Sequence, residues 1–146
     1  AGGGVAAPVM GGDGLKDDKY VASAGAASEG DLASTVGAPL ASLPAAQAFT
    51  AAYARAGFAE PPSDFGAYAY DAAQVLIAAA ARALRGAGGV TARVRADTVA
   101  AVQATDITGV TGRVTFDAFG DTRTKVLTVY RVSDGAWRAV RTETIS

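Results

Sequence analysis

The spacing of apolar residues changes period in the last third of this chain, and that change decides the class of fold open to it. Over residues 44–104 apolar side chains recur at three- and four-residue intervals, as on one face of a helix. In Arg113-Val114-Thr115-Phe116-Asp117 and over residues 125–132 they alternate, as on one face of a strand. A chain of 146 residues has room for about one domain-sized core, so helices and strands must be buried against each other. The expected class is α/β.

The segment before the helices supports it. Gly2, Gly3 and Gly4 read as a loop, Pro8-Val9-Met10 as a short buried strand, and Gly11-Gly12-Asp13-Gly14 as a glycine-rich turn. A weak helix is expected over residues 15–24, with Asp17 and Asp18 in its first turn, where the helix dipole favours acids. Residues 29–36 read as a second strand, and the loop after it, carrying Gly37, Pro39 and Pro44, suits a crossover between two bodies.

Pro44 fits the first turn of a helix to residue 56 that sets Phe49 and Tyr53 one turn apart and stops at Gly57. Ser63 or Asp64 can cap a long helix over residues 65–85. Tyr68, Ala72, Val75, Leu76, Ala79 and Ala83 share one of its faces and small residues fill the rest, which predicts close burial against neighbours. Another helix over residues 93–104 should turn Val94, Val99 and Val102 inward. Ser133-Asp134-Gly135 predicts a hairpin turn between residues 125–132 and 136–142, because Asp-Gly supplies the positive φ such turns need.

Composition then removes chemistry. With no His and no Cys, catalysis by Cys-His or Ser-His-Asp, disulfides, thiol redox and zinc sites built on those ligands are all excluded. Thirteen basic residues against fourteen acidic ones leave a net charge of −1, without the basic footprint of a nucleic-acid binder. The longest apolar stretch, residues 72–81, contains Gln74 and is too short to span a bilayer. Residues 1–10 lack the basic start and long apolar centre of a secretory signal and begin without Met, as a mature or truncated chain would.

Most clusters of polar residues read as ordinary surface. Lys16, Asp17, Asp18 and Lys19 look like a solvated helix start, and Arg82, Arg85, Arg93 and Arg95 like a solvated face without interleaved aromatics. Gly112 to Asp121 lacks the ligand spacing of a calcium loop, and no phosphate-binding loop motif is present. Tyr130 and Trp137 flank the hairpin turn and read as a cross-strand or packing pair. Asp13 differs, being a lone carboxylate among glycines after a strand and before a helix. In open α/β sheets ligands sit beyond the strand ends, and a carboxylate there suits a ligand ammonium. Its other reading is a cap for the following helix.

Four blocks carry a resemblance: Met10-Gly11-Gly12-Asp13-Gly14-Leu15; Ala26-Ala27-Ser28-Glu29-Gly30; Ala69-Tyr70-Asp71-Ala72-Ala73-Gln74-Val75-Leu76; and Gly109-Val110-Thr111-Gly112-Arg113-Val114-Thr115-Phe116-Asp117 with Gly120-Asp121. In order and spacing they resemble the branched-chain amino acid substrate-binding proteins of ABC transporters, and the resemblance covers only the C-terminal part of that family. It implies part of a two-lobed type I periplasmic-binding-protein fold, with helices flanking a mostly parallel sheet and a C-terminal β-hairpin. Residues 1–33 would belong to one lobe, residues 34–111 to the helical part of the other between hinge crossings, and residues 112–146 to a hinge strand and the returning hairpin.

The resemblance also implies a function. It is extracytoplasmic binding, in the periplasm or as a cell-surface lipoprotein, of an amino acid or similar small polar ligand between two lobes, with delivery to permease subunits. No cofactor, metal or enzymatic activity is implied. Asp13 falls where the family places the acid that receives the ligand's α-ammonium, and Phe65 where an aromatic lines the side-chain pocket; a buried helix-start residue is the other reading of Phe65. A ligand-sensing regulatory domain on the same fold is the alternative function. An uncovered helical face in so partial a chain is expected to be covered by self-association, by strand or helix exchange between copies, or by a missing companion segment.

Overall fold

The computed structural model describes residues 7–145, so the expected Gly2-Gly3-Gly4 loop lies outside the described residues. In chain order its strands are β1 (Met10–Gly11), β2 (Leu32–Val36), β3 (Asp106–Gly109), β4 (Gly112–Thr115), β5 (Lys125–Ser133) and β6 (Ala136–Ile145). Its helices are α1 (Asp18–Ala24), α2 (Ala46–Arg55), α3 (Asp64–Ala83) and α4 (Ala92–Gln103). The chain divides into two units, one running to Pro39 and resuming over Lys125–Ile145, the other being Leu40–Thr124.

The first unit is a four-stranded sheet in the order β1-β2-β5-β6, flanked by α1. The parallel pairing is β1 with β2, Met10 opposite Leu32; the returning hairpin adds two antiparallel pairings, β2 with β5 and β5 with β6. Ala33 lies opposite Tyr130 and Thr35 opposite Thr128, and these four residues with Val132 form the buried face. The Thr128 hydroxyl donates to the Gly37 carbonyl at 2.6 Å, so that hydroxyl is satisfied in the core. The expected hairpin is present, with φ of 54° at Asp134 and 70° at Gly135. Glu29 accepts from both turn amides, at 3.1 and 3.4 Å.

Four expectations are corrected in this unit. The first helix starts at Asp18 instead of residue 15, because the Asp17 carboxylate accepts from the Lys19 amide at 2.7 Å and caps it there. The second strand starts at Leu32, since a 3₁₀ turn over Gly25–Ser28 precedes it. Lys16 is half-buried with its ammonium 4.7 Å from the centre of the Tyr130 ring, so it is not simply solvated. Trp137 lies opposite Val132 and Tyr130 opposite Ala139, so the two aromatics are not cross-strand partners. Trp137 instead stacks on Tyr20, ring centres 6.0 Å apart, and its indole N–H donates to the Asp17 carbonyl.

In the second unit α3 packs on α4. The buried residues of α3 are Ala67, Asp71, Val75 and Ala79, spaced every four positions. Of the face expected from sequence only Val75 and Ala79 are buried, while Leu76 and Ile77 are 55% and 65% exposed. Alanine, valine and aspartate are buried on α3 while the larger Leu76 and Ile77 face outward. On α4 Val94 is buried, but Val99 is 69% exposed, which corrects its inward assignment. Thr91 caps α4 by accepting from the Val94 amide, whereas Ser63 makes no side-chain cap at the start of α3.

The sequence reading overlooked β3, which forms a hairpin with β4 across Val110 and Thr111. Its turn is held by Asp71. This carboxylate, 4% exposed, accepts from the amides of Val110 (2.9 Å) and Thr111 (2.8 Å) and from the Thr111 hydroxyl (2.7 Å). A Cβ at Gly109 would collide with that carboxylate, so only glycine fits there without movement. Asp71→Ala should strand these donors and lower the unfolding free energy by on the order of 3 kcal/mol. Urea unfolding curves with the same midpoint for both proteins would overturn this account.

Candidate functional site

Asp13 stands just past the C-terminal end of β1, on the side of a parallel strand pair where open α/β sheets admit ligands. It opens a 3₁₀ turn over Asp13–Leu15, closed by Leu15 N–H to the Gly12 carbonyl at 3.0 Å and Lys16 N–H to the Asp13 carbonyl at 3.1 Å. Its carboxylate accepts from the neighbouring Gly14 amide at 2.9 Å and is exposed to solvent. Since Asp17 caps α1, the helix-cap reading of Asp13 is set aside. Space is open around Gly12 and Gly14, so another molecule can come up to the backbone on both sides of the carboxylate. Gly11 has no such room, because a Cβ there would press on Leu15.

Asp31 holds the strand, turn and helix that carry Asp13. It is 4% exposed, and its two oxygens accept from the Val9 amide at 2.7 Å and the Tyr20 hydroxyl at 2.5 Å. One carboxylate thus joins the start of β1, the segment leading into β2, and α1. The bond to Asp31 raises the Tyr20 phenol above its ordinary 10.0, because a nearby carboxylate opposes the phenolate. Sequence spacing could not single out Asp31, since the residues it joins are distant in the chain.

Phe65 is the second residue of α3 and is 47% exposed, so its buried-core reading is corrected. Asp13 belongs to the first unit and Phe65 to the second. Phe49 and Tyr53, expected on one face, belong to a longer aromatic run that includes Phe58 and Tyr70, with ring centres 4.7 to 6.0 Å apart. An apolar groove in the same unit is lined by Leu40, Leu43, Ala46, Thr50, Ala51 and Ala54, and another in the first unit by Asp18, Ala22, Glu29 and Ala136 among others. Neither groove includes Asp13 or Phe65. Among the described residues no cluster of three or more side chains could hold a metal ion, and no helix is long and apolar enough to cross a membrane.

Comparison with protein families finds a match to the periplasmic binding protein family over residues 3–136. Among solved structures, the leucine-binding protein LivK of Thermotoga maritima superposes with a TM-score of 0.74 at 25% identity, over 95% of this chain and 38% of that one. LivJ of Streptococcus pneumoniae, a branched-chain amino acid transporter substrate-binding protein solved with isoleucine, gives a TM-score of 0.62 at 28% identity, covering 97% and 38%. A Rhodospirillum rubrum protein provisionally described as a branched-chain amino acid ABC transporter gives 0.63 at 34% identity, covering 94% and 38%. The chain therefore spans less than half the length of these solved relatives. Comparison with curated protein sequences found no match.

The Tyr20–Asp31 bond makes a signed prediction. The folded chain keeps the phenol proton to higher pH than the unfolded one, so this contribution is present below about pH 10 and is lost as pH rises through the raised folded value. Melting temperatures measured between about pH 8 and about pH 11 should fall less steeply in Tyr20→Phe than in the wild type. Parallel curves would refute the linkage.

Proposed function

The chain belongs to the periplasmic binding protein family, and from that premise we propose that it works as part of an extracytoplasmic solute-binding protein of an ABC transporter, taking an amino acid of the branched-chain type or a similar small polar ligand. The observation that carries this reading is the Asp13 carboxylate, exposed beyond a parallel strand end with open backbone beside it. A carboxylate so placed can take an α-ammonium as a charge-assisted hydrogen-bond pair. The ligand's closing approach would remove both charges from water, so their pairing decides whether an amine is accepted. Phe65 supplies apolar surface for the ligand's side chain, and its exposure is consistent with that use.

Residues 1–33 and the final hairpin are assigned to one lobe and the helices of residues 34–111 to the other, with residues 112–146 returning the chain. The chain itself divides near Pro39 and Thr124, which keeps residues 112–124 and the β3–β4 hairpin with the helices. Ligand would favour a closed state through contacts made only there, and that state would be recognised by the membrane-spanning permease subunits.

Asp13→Asn in the intact protein should weaken an amino-bearing ligand by about a hundredfold or more, the scale of removing one partner of a buried charge pair. Calorimetric titration with L-leucine and other amino acids measures it. Equal affinities in variant and wild type would remove Asp13 from the site.

A further inference from the structure

Strand β6 is an edge of the first unit's sheet. In the order β1-β2-β5-β6 it has a neighbour on one side, so alternate residues turn their amides and carbonyls away from the sheet, with no strand to receive them among the described residues. The opposite edge, β1, is two residues long, whereas β6 has ten and holds none of the proline or lysine that commonly blunts an edge. Its ladder to β5 is interrupted at Val140, where Val129 lies opposite Arg141 and Tyr130 opposite Ala139. Beyond that bulge Arg141–Ile145 run in unbroken register with β5. This straight stretch carries both signs of charge, since Arg141 Nε donates to the Glu143 carboxylate at 2.7 Å and both side chains are exposed. Such a pair contributes little to the fold by itself.

We infer that β6 is the seam of a symmetric dimer, in which a second copy of this chain adds its own β6 antiparallel to the open edge. Two identical strands joined about a two-fold axis perpendicular to the sheet can pair only in registers that set one residue opposite itself. Centred on Arg141 or on Glu143, the pairing opposes like charges. Centred on Val140, it meets the bulge in both copies, and centred on Thr144 it sets Glu143 opposite Ile145. Centred on Thr142, it sets each Arg141 opposite the partner's Glu143, and each Val140, 52% exposed, opposite the partner's Thr144. The four charges then form a square in which every neighbour, along the strand and across the seam, has the opposite sign. Backbone bonds supply affinity and the square fixes the register. A foreign strand would meet the same backbone but would have to bring the complementary charges, which a second copy carries by symmetry. Each edge is used once, so assembly stops at two.

Sedimentation of the intact protein tests the seam. The wild type should dimerise, and Arg141→Glu and Glu143→Arg should each weaken dimerisation by about tenfold or more, because each sets like charges across from one another. An equimolar mixture of the two variants should dimerise again, since one copy then presents acids at both positions and the other presents arginines. Both variants break the same pair within the strand, and mixing cannot repair that, so recovery in the mixture reports the seam alone. Melting temperatures check that each variant folds. A wild type that stays monomeric up to about 1 mM, or a mixture that associates no better than the separate variants, overturns the proposal. Dimers that persist in both variants would move self-association to another face and overturn it as well.

Discussion

Two carboxylates removed from water hold the long-range geometry of this chain. A buried carboxylate is tolerable only if donors surround it, and Asp31 and Asp71 each recruit theirs from residues far along the sequence. Asp31 takes an amide and a phenol, while Asp71 takes two successive amides and a hydroxyl. The amide bonds fix a strand start and a turn that lie outside regular hydrogen-bonded structure, and the Tyr20 hydroxyl ties α1 to the same carboxylate as the strand start. The glycine at position 109 follows from the same demand, because the carboxylate occupies the space a side chain would need.

That dependence accounts for what the sequence did and did not reveal. Hairpin β5–β6 was legible because its signal is local: alternation on both sides of an Asp-Gly pair that the backbone then needs at positive φ. The helices were legible from period and glycine stops, and Gly57 indeed follows α2 with a φ of 74°. Strand β3 was missed because Asp106-Ile107-Thr108-Gly109 is too short for alternation to stand out, and its turn is held by a side chain on another element. The buried face of α3 was misjudged for a related reason. Apolar spacing marks candidates for burial, but on α3 Ala67 and Ala79 are buried while Leu76 and Ile77 remain exposed.

The candidate site shows the same split between local and distant signals. Asp13 could be picked out because a single acid among glycines after a strand is unusual, and the fold puts it at a strand end with free space around it. The residues that hold it in place, Asp31 and Tyr20, carry no such mark. Resemblance to a known family suggested the role of Asp13, and what the structure itself offers there is an exposed acceptor.

The division of the chain bears on the order in which it can fold. The sheet of the first unit takes β1 and β2 from one side of the second unit and β5 and β6 from the other. During synthesis, residues 40–124 emerge between the two halves, and their α3–α4 pairing and β3–β4 hairpin join segments close in sequence. They can condense early, while β2 must wait for β5 with its pairing edge open. The first unit is thus completed last although it is begun first, and the interval before β5 arrives is when β2 is open to pairing with other chains.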